Sequence, residues 1–176
     1  MTPSQRGVAI GAGCALIVTT ALIAYGMGGA PGLPAAAPLA ATLAQRLTLA
    51  VTAWLSPIVA LALSIGWVAN IRGRSAQDIA GAGLTQESAA IRIPRAILAN
   101  TLEQASLAIP VYTGLALLLP ARMLALPLML SAAFGLGRIA FAIGYRHGAP
   151  ARSFGMALTG YPTVAGIGVL IWRLLA

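Results

Sequence analysis

Apolar residues in this chain come in long unbroken runs, without the alternation of a half-buried strand. A membrane-spanning helix needs about 20 mostly apolar residues. Run length and breakers predict spans at 7–27, 43–69, 95–119, 123–144 and 154–175. Gly28-Gly29-Ala30-Pro31-Gly32-Leu33-Pro34 is rich in turn formers and reads as a connector. Asn70 to Ile93 is the longest polar loop and carries Arg72, Arg74, Asp78, Glu87 and Arg92. Pro120-Ala121-Arg122 leaves room only for a tight hairpin between antiparallel helices, whereas Tyr145 to Ser153, with Gly148 and Pro150, predicts a loop. The pattern therefore predicts an all-α integral membrane protein with one membrane domain over 1–176. In it an extra amino-terminal helix and connector (1–42) join a four-helix core (43–176).

Composition agrees and narrows the partners. The 176 residues are 59% hydrophobic and 8% charged, with a mean hydropathy of +0.89, which excludes a large soluble domain. All 11 basic residues are arginine, against three acids, for a net charge of +8. The arginines gather at the ends of apolar runs with no basic stripe broken by aromatics, so phosphate headgroups, not nucleic acid, are the expected anionic neighbours. Arg6, Arg72, Arg74, Arg92, Arg95, Arg146 and Arg152 fall on one side, and Arg46, Arg122 and Arg173 on the other. The positive-inside rule then places the amino terminus in the cytoplasm. An arginine-only, alanine-rich compact chain suits a bacterial inner membrane. The first span has the charged start of a signal peptide, but Gly7, Ala9, Gly11, Gly13 and Ala15 predict a retained helix with a small-residue packing face.

Against this apolar background the few polar residues inside spans stand out. Glu103 lies in the apolar run from Ile97 to Leu119, where an acid costs about 2.5–3.5 kcal/mol at mid-helix, so such residues face a bundle interior and mark function. Asn100 precedes it at i, i+3 spacing, on the same helix face. Arg138 and Tyr145 are seven apart in the fourth span, nearly in line, with Arg138 about 10 Å deeper. Arg152 follows seven residues later, past Gly148 and Pro150, and is expected to return to the mouth of the bundle. Cys14 and His147 are each single, so neither a disulfide nor a metal site is expected. Tyr161 reads as an interfacial aromatic.

The Asn100-x-x-Glu103 pair and the Arg138-x6-Tyr145-x6-Arg152 run, in this order and separation, resemble the MAPEG family, the membrane-associated proteins in eicosanoid and glutathione metabolism. The resemblance covers roughly residues 43–176. It implies a homotrimer of helical bundles that binds glutathione between subunits near the cytoplasmic face and meets a lipophilic second substrate from the bilayer. It further implies that Asn100 and Glu103 hold polar ends of the peptide, Glu103 its ammonium. Arg138 and Tyr145 would contact carboxylate or backbone groups deeper in the cleft, and Arg152 would stabilise the glutathione thiolate. Three positions depart from the family pattern. Ala96 stands where the family has an arginine four residues before the asparagine, so that contact would fall to Arg95, one residue early and rotated by about 100°. Phe141 replaces a frequent tyrosine, and the span at 7–27 has no counterpart in the four-helix core. The expected activity is a membrane-bound glutathione-dependent transferase or peroxidase acting on lipophilic electrophiles or lipid hydroperoxides; the alternative is a noncatalytic scaffold or lipid-binding protein of the same fold.

Overall fold

The computed structural model describes residues 1–31, 42–81 and 84–175. They form helices α1 (Pro3–Met27), α2 (Leu43–Arg74), α3 (Ala89–Leu118), α4 (Ala125–Tyr145) and α5 (Ala149–Leu175), with a short 3₁₀ turn at Ala121–Met123. The connector predicted at Gly28–Pro34 and the polar loop both fall partly outside the described residues. Among the described residues four segments are long and apolar enough to cross a membrane: Pro3–Met27, Leu43–Arg74, Ala121–Tyr145 and Ala149–Leu175. The expected third span forms as a helix, but α3 is not among the four, because Glu103 and Gln104 interrupt its apolar run. Its Tyr112, Leu115 and Ala116 are nonetheless fully buried.

Local signals start the helices. Thr2 and Thr42 each accept a hydrogen bond from the backbone N–H three residues on, while Gln5 and Gln45 reach back to the threonine N–H, a reciprocal capping box at the starts of α1 and α2. Ser88, at the start of α3, turns instead to the preceding loop. Its N–H donates to Asp78 Oδ1 at 2.8 Å and its hydroxyl to Oδ2 at 2.6 Å. The far end of α3 is capped from outside: Arg46 Nη1 of α2 donates to the carbonyls of Ala116, Leu117 and Leu119 at 2.8–3.0 Å, and Arg173 Nε of α5 to Leu118 at 3.2 Å. These carbonyls have no intrahelical donor and carry the negative end of the helix dipole.

The core lies where α2, α3 and α4 meet, around Ala50, Ala53, Ala108, Tyr112, Leu115, Leu130 and Phe134. Tyr112 donates its hydroxyl proton to the Leu130 carbonyl at 3.1 Å, and Trp54 Nε1 donates to Thr113 Oγ1 at 3.0 Å. Within a bilayer, lipid is as apolar as leucine, so helices associate through close packing of small residues. That is how α4 meets α5. A Cβ on Gly155 would lie 2.2 Å from the Phe141 nitrogen, and one on Gly144 2.3 Å from the Ala151 carbonyl oxygen, so the two backbones touch.

The first helix packs mainly along α5 and more lightly on α4. A Cβ on Gly7 would meet Pro150 at 2.8 Å and one on Gly11 Ser153 Oγ at 2.1 Å, and Ala15 is fully buried. The packing face is therefore Gly7, Gly11 and Ala15, at i, i+4, i+8 spacing. Gly13 and Ala9, grouped with them on sequence, lie off it: a Cβ on Gly13 would meet nothing within 4 Å, and Ala9 is exposed.

Candidate functional site

The loop expected from Tyr145 to Ser153 contracts to Arg146–Gly148, because Gly148 takes a positive φ of 95° and Pro150 fits the first turn of α5. Arg152 therefore lies in the first turn of α5, its N–H donating to the Gly148 carbonyl at 3.3 Å. The backbone contacts of Gly144 and Gly155 fix this turn against Phe141 and Tyr145 of α4. The result is a ladder. The Arg138 guanidinium carbon lies 4.2 Å from the Phe141 ring centroid, Phe141 and Tyr145 meet edge to face at 5.3 Å, and the Arg152 guanidinium carbon lies 4.2 Å from the Tyr145 centroid. Each cation faces the electron-rich side of a ring, an attraction of about 0.5–2 kcal/mol.

Beside the ladder a cleft of about 580 Å³ opens between α3, α4, α5 and the start of α1. Asn100 and Gln104 line it from α3, Phe141 and Tyr145 from α4, and Arg152 and Tyr161 from α5. Val8 and Ala12 of α1 form part of its wall. The Arg152 side chain has no ion pair among the described residues, so its donors face this space already oriented by the Tyr145 ring.

The sequence-predicted residues fall in four places. Asn100, Tyr145 and Arg152 meet in the cleft. Arg138 is buried behind them and touches the cleft through Asn100, its Nη1 donating to Asn100 Oδ1 at 2.8 Å. Glu103 lies exposed on the flank of α3, outside the lining, where its Oε2 accepts a long hydrogen bond of 3.4 Å from Asn100 Nδ2. Asn100 thus bridges the guanidinium and the carboxylate, and Glu103 does not pair with Arg138 directly. Arg95 is apart from the rest: it forms an ion pair at 2.5 Å with Glu87, which Arg72 approaches at 3.6 Å. The lining residue at the family's arginine position is Ala96.

The lining also includes Gln104 and Tyr161, which the sequence does not mark as site residues. Gln104, one turn beyond Asn100, faces Gly160 across the cleft, where an added Cβ would lie 3.4 Å from Gln104 Oε1; its i, i+4 spacing from Asn100 was the available signal. Tyr161, read as an interfacial aromatic, lines the cleft because it lies one turn beyond Ala157 on the stripe of α5 that also carries Ser153 at i−4 from Ala157.

Comparison with known proteins follows the same residues. A model of the MAPEG family matches residues 47–172. No curated protein and no solved structure matches the chain. The match omits α1, which supplies part of the cleft wall.

Proposed function

The chain belongs to the MAPEG family, and on that premise we propose that it is a membrane-bound glutathione-dependent transferase or peroxidase acting on lipophilic electrophiles or lipid hydroperoxides. The observation that carries the reading is Arg152, a cation without a counter-ion among the described residues, held over Tyr145 at the edge of a cleft that also presents Asn100.

A thiol with a pKa near 8.5 is mostly protonated at neutral pH, and the thiolate is the nucleophile. Arginine stays protonated and offers several donors, so a thiol placed beside Arg152 is drawn toward the thiolate. Every 1.4 kcal/mol or so by which the guanidinium favours the anion raises the thiolate-to-thiol ratio about tenfold. The amino terminus of α5 adds to this, since the first-turn N–H groups beside Arg152 present the positive end of the helix dipole. The low polarity of the surrounding helices strengthens both effects. In this reading Asn100 and Tyr145 orient the peptide and Glu103, on the flank, takes its ammonium. Arg138 positions Asn100. Arg95, held by Glu87, contributes only if that pair opens. The thiolate would then attack an electrophilic carbon, displacing its leaving group or adding across its activated double bond to form a thioether, or attack the terminal oxygen of a hydroperoxide, breaking the O–O bond to give the alcohol and a glutathione sulfenic acid that a second glutathione reduces to the disulfide and water.

The test is a titration of the purified protein with glutathione, followed by thiolate absorbance in the ultraviolet, with Arg152→Ala alongside. A saturable signal in the unmodified chain and its loss in a folded variant are expected. An equal signal in both would remove Arg152 from the chemistry, and no signal in either, together with no heat of binding, would favour a noncatalytic scaffold of the same fold.

A further inference from the structure

The wall that α1 contributes to the cleft is fixed by how that helix is seated. An added Cβ on Gly7 would lie 2.8 Å from Pro150 of α5 and one on Gly11 closer still to Ser153 Oγ, and Ala15, one turn on, is fully buried. The seam between α1 and α5 is therefore shut along this stretch. Val8 and Ala12 each follow a seated glycine by one residue, so they lie about 100° round the helix from the seam and about 6 Å apart along it. This flank is the part of α1 that lines the cleft. Its height is set by the same contact: Gly11 meets Ser153, the residue after Arg152, so Ala12 stands level with the Arg152 turn and Val8 one turn nearer the start of α1. The two sides of the cleft differ in chemistry. On α3, Asn100 and Gln104 present amide groups, whereas Val8 and Ala12 present only methyls. The Ser153 hydroxyl beside them is already engaged, donating to the Pro150 carbonyl at 2.8 Å. A wall of this kind offers contact to an apolar group and no hydrogen bond to a peptide.

We propose that Val8 and Ala12 are specificity-determining residues, which set the width of the group that the glutathione sulfur can take at Arg152. The proposal rests on the reading of the cleft as a glutathione site. In that reading the peptide is held by Asn100 on α3 and Tyr145 on α4, and its sulfur lies at Arg152 on α5. The wall left for whatever is joined to the sulfur is α1. Ala12 ends in one methyl and leaves space that a longer side chain would fill, while Val8 narrows the space one turn away. In an apolar pocket a single methylene shifts discrimination by roughly 10–200-fold, so changes at these two positions are large on the scale of selectivity. The family match begins at residue 47, so the size limit belongs to a segment of this chain outside the four-helix core.

The full chain, reconstituted in phosphatidylcholine nanodiscs, is titrated by calorimetry with glutathione and with its S-methyl, S-benzyl and S-(naphthylmethyl) derivatives, stable thioethers whose binding needs no turnover. Ala12→Leu should bind glutathione and the S-methyl derivative as tightly as the unmodified chain does. It should bind the largest derivative that the unmodified chain accepts at least about tenfold more weakly. Val8→Ala should bind the bulkiest derivative more tightly than the unmodified chain and glutathione no differently. Ala9→Leu makes the same enlargement on the exposed side of α1 and should match the unmodified chain throughout. A size series unaltered in both Ala12→Leu and Val8→Ala, or altered as much in Ala9→Leu, would overturn the proposal. So would an equal loss of every ligand in Ala12→Leu, or a gain for the bulkiest one there, the mark of a helix pushed aside. In the unaltered series glutathione still binds, which separates that failure from failure of the glutathione reading. No binding of glutathione to the unmodified chain would remove that reading and this proposal with it.

Discussion

A single aromatic platform, the ring of Tyr145, decides where the free charge of Arg152 sits. The contact is made by the ring face, not by the hydroxyl. Tyr145→Phe should therefore leave the guanidinium in place and most of the thiolate signal intact. Tyr145→Ala should release Arg152 and raise the pKa of bound glutathione by up to about one unit, the equivalent of a cation–π contact of up to about 1.4 kcal/mol. Ultraviolet titrations of the two variants against pH check this, and equal losses in both would assign the role to the hydroxyl. Arg138 shows a different balance. Its burial near the middle of α4 is tolerated because Asn100 takes one nitrogen and the Phe141 ring faces the cation, so Phe141 is a supporting contact even without the hydroxyl common at its position. Glycine acts here by being absent: Gly144 and Gly155 leave no side chain between the ring-bearing helix and the arginine-bearing one.

Each element carries its own testable consequence. Replacing Gly155 with valine would drive Cβ and its methyls into the Phe141 backbone, and overpacking of this kind costs about 1–3 kcal/mol. The expected result is a lower melting temperature in detergent with the Arg152–Tyr145 contact spread apart, read as weakened thiolate formation in protein that remains folded at low temperature. At the other end of the bundle, Arg46→Ala would leave three carbonyls of α3 without their cap, and loss of charge-assisted hydrogen bonds costs about 1.5–3 kcal/mol. Hydrogen exchange should show the last turn of α3 opening while the cleft end stays protected. The α2–α3 loop depends on Asp78 in its ionised form. The Ser88 N–H and then its hydroxyl, with Ser75 beyond, hold the carboxyl below its ordinary value. A depressed carboxyl pKa contributes stability that is present above the unfolded value of about 3.9 and is lost as pH falls through the lower folded value. Loop protection should therefore persist at pH 5 and above and collapse only below about pH 4, and Asp78→Asn should abolish that dependence.

At the scale of the whole molecule, the two ends of the bundle sort their arginines as the sequence groups them. Arg72 and Arg95 meet at Glu87 on one end, and Arg46 and Arg173 meet at the end of α3 on the other. Glu103 is the residue the single chain leaves half satisfied, a carboxylate exposed on the flank of a helix whose neighbours Leu102 and Leu107 are exposed apolar residues. Such a group needs water, a ligand or another subunit beside it. The homotrimer expected of the family would supply one, and native mass spectrometry of the protein released from nanodiscs should give three chains. Glu103→Leu should then weaken glutathione binding more than it weakens the trimer. A monomer at all concentrations would leave α3 lipid-facing and remove the shared-site reading.

The sequence by itself determined the helices, their membrane character and the family, because run length, turn residues and the Asn-x-x-Glu and Arg-x6-Tyr-x6-Arg spacings are properties of one chain segment at a time. It also singled out Asn100, Tyr145 and Arg152, since polar residues within or beside apolar runs stand out in one dimension and their spacing resembles the family's. Which of the predicted residues share one cavity was decided only in three dimensions. Arg95 is taken by Glu87 from a loop, Arg138 lines a groove between α2 and α4 instead of the cleft it was expected to line, and α1 closes a wall that lies outside the family match. The physical reason is that a side chain's partner is set by how close two backbones come. Here that distance depends on pairs of glycines on different helices, a relation between elements that no single stretch of sequence contains.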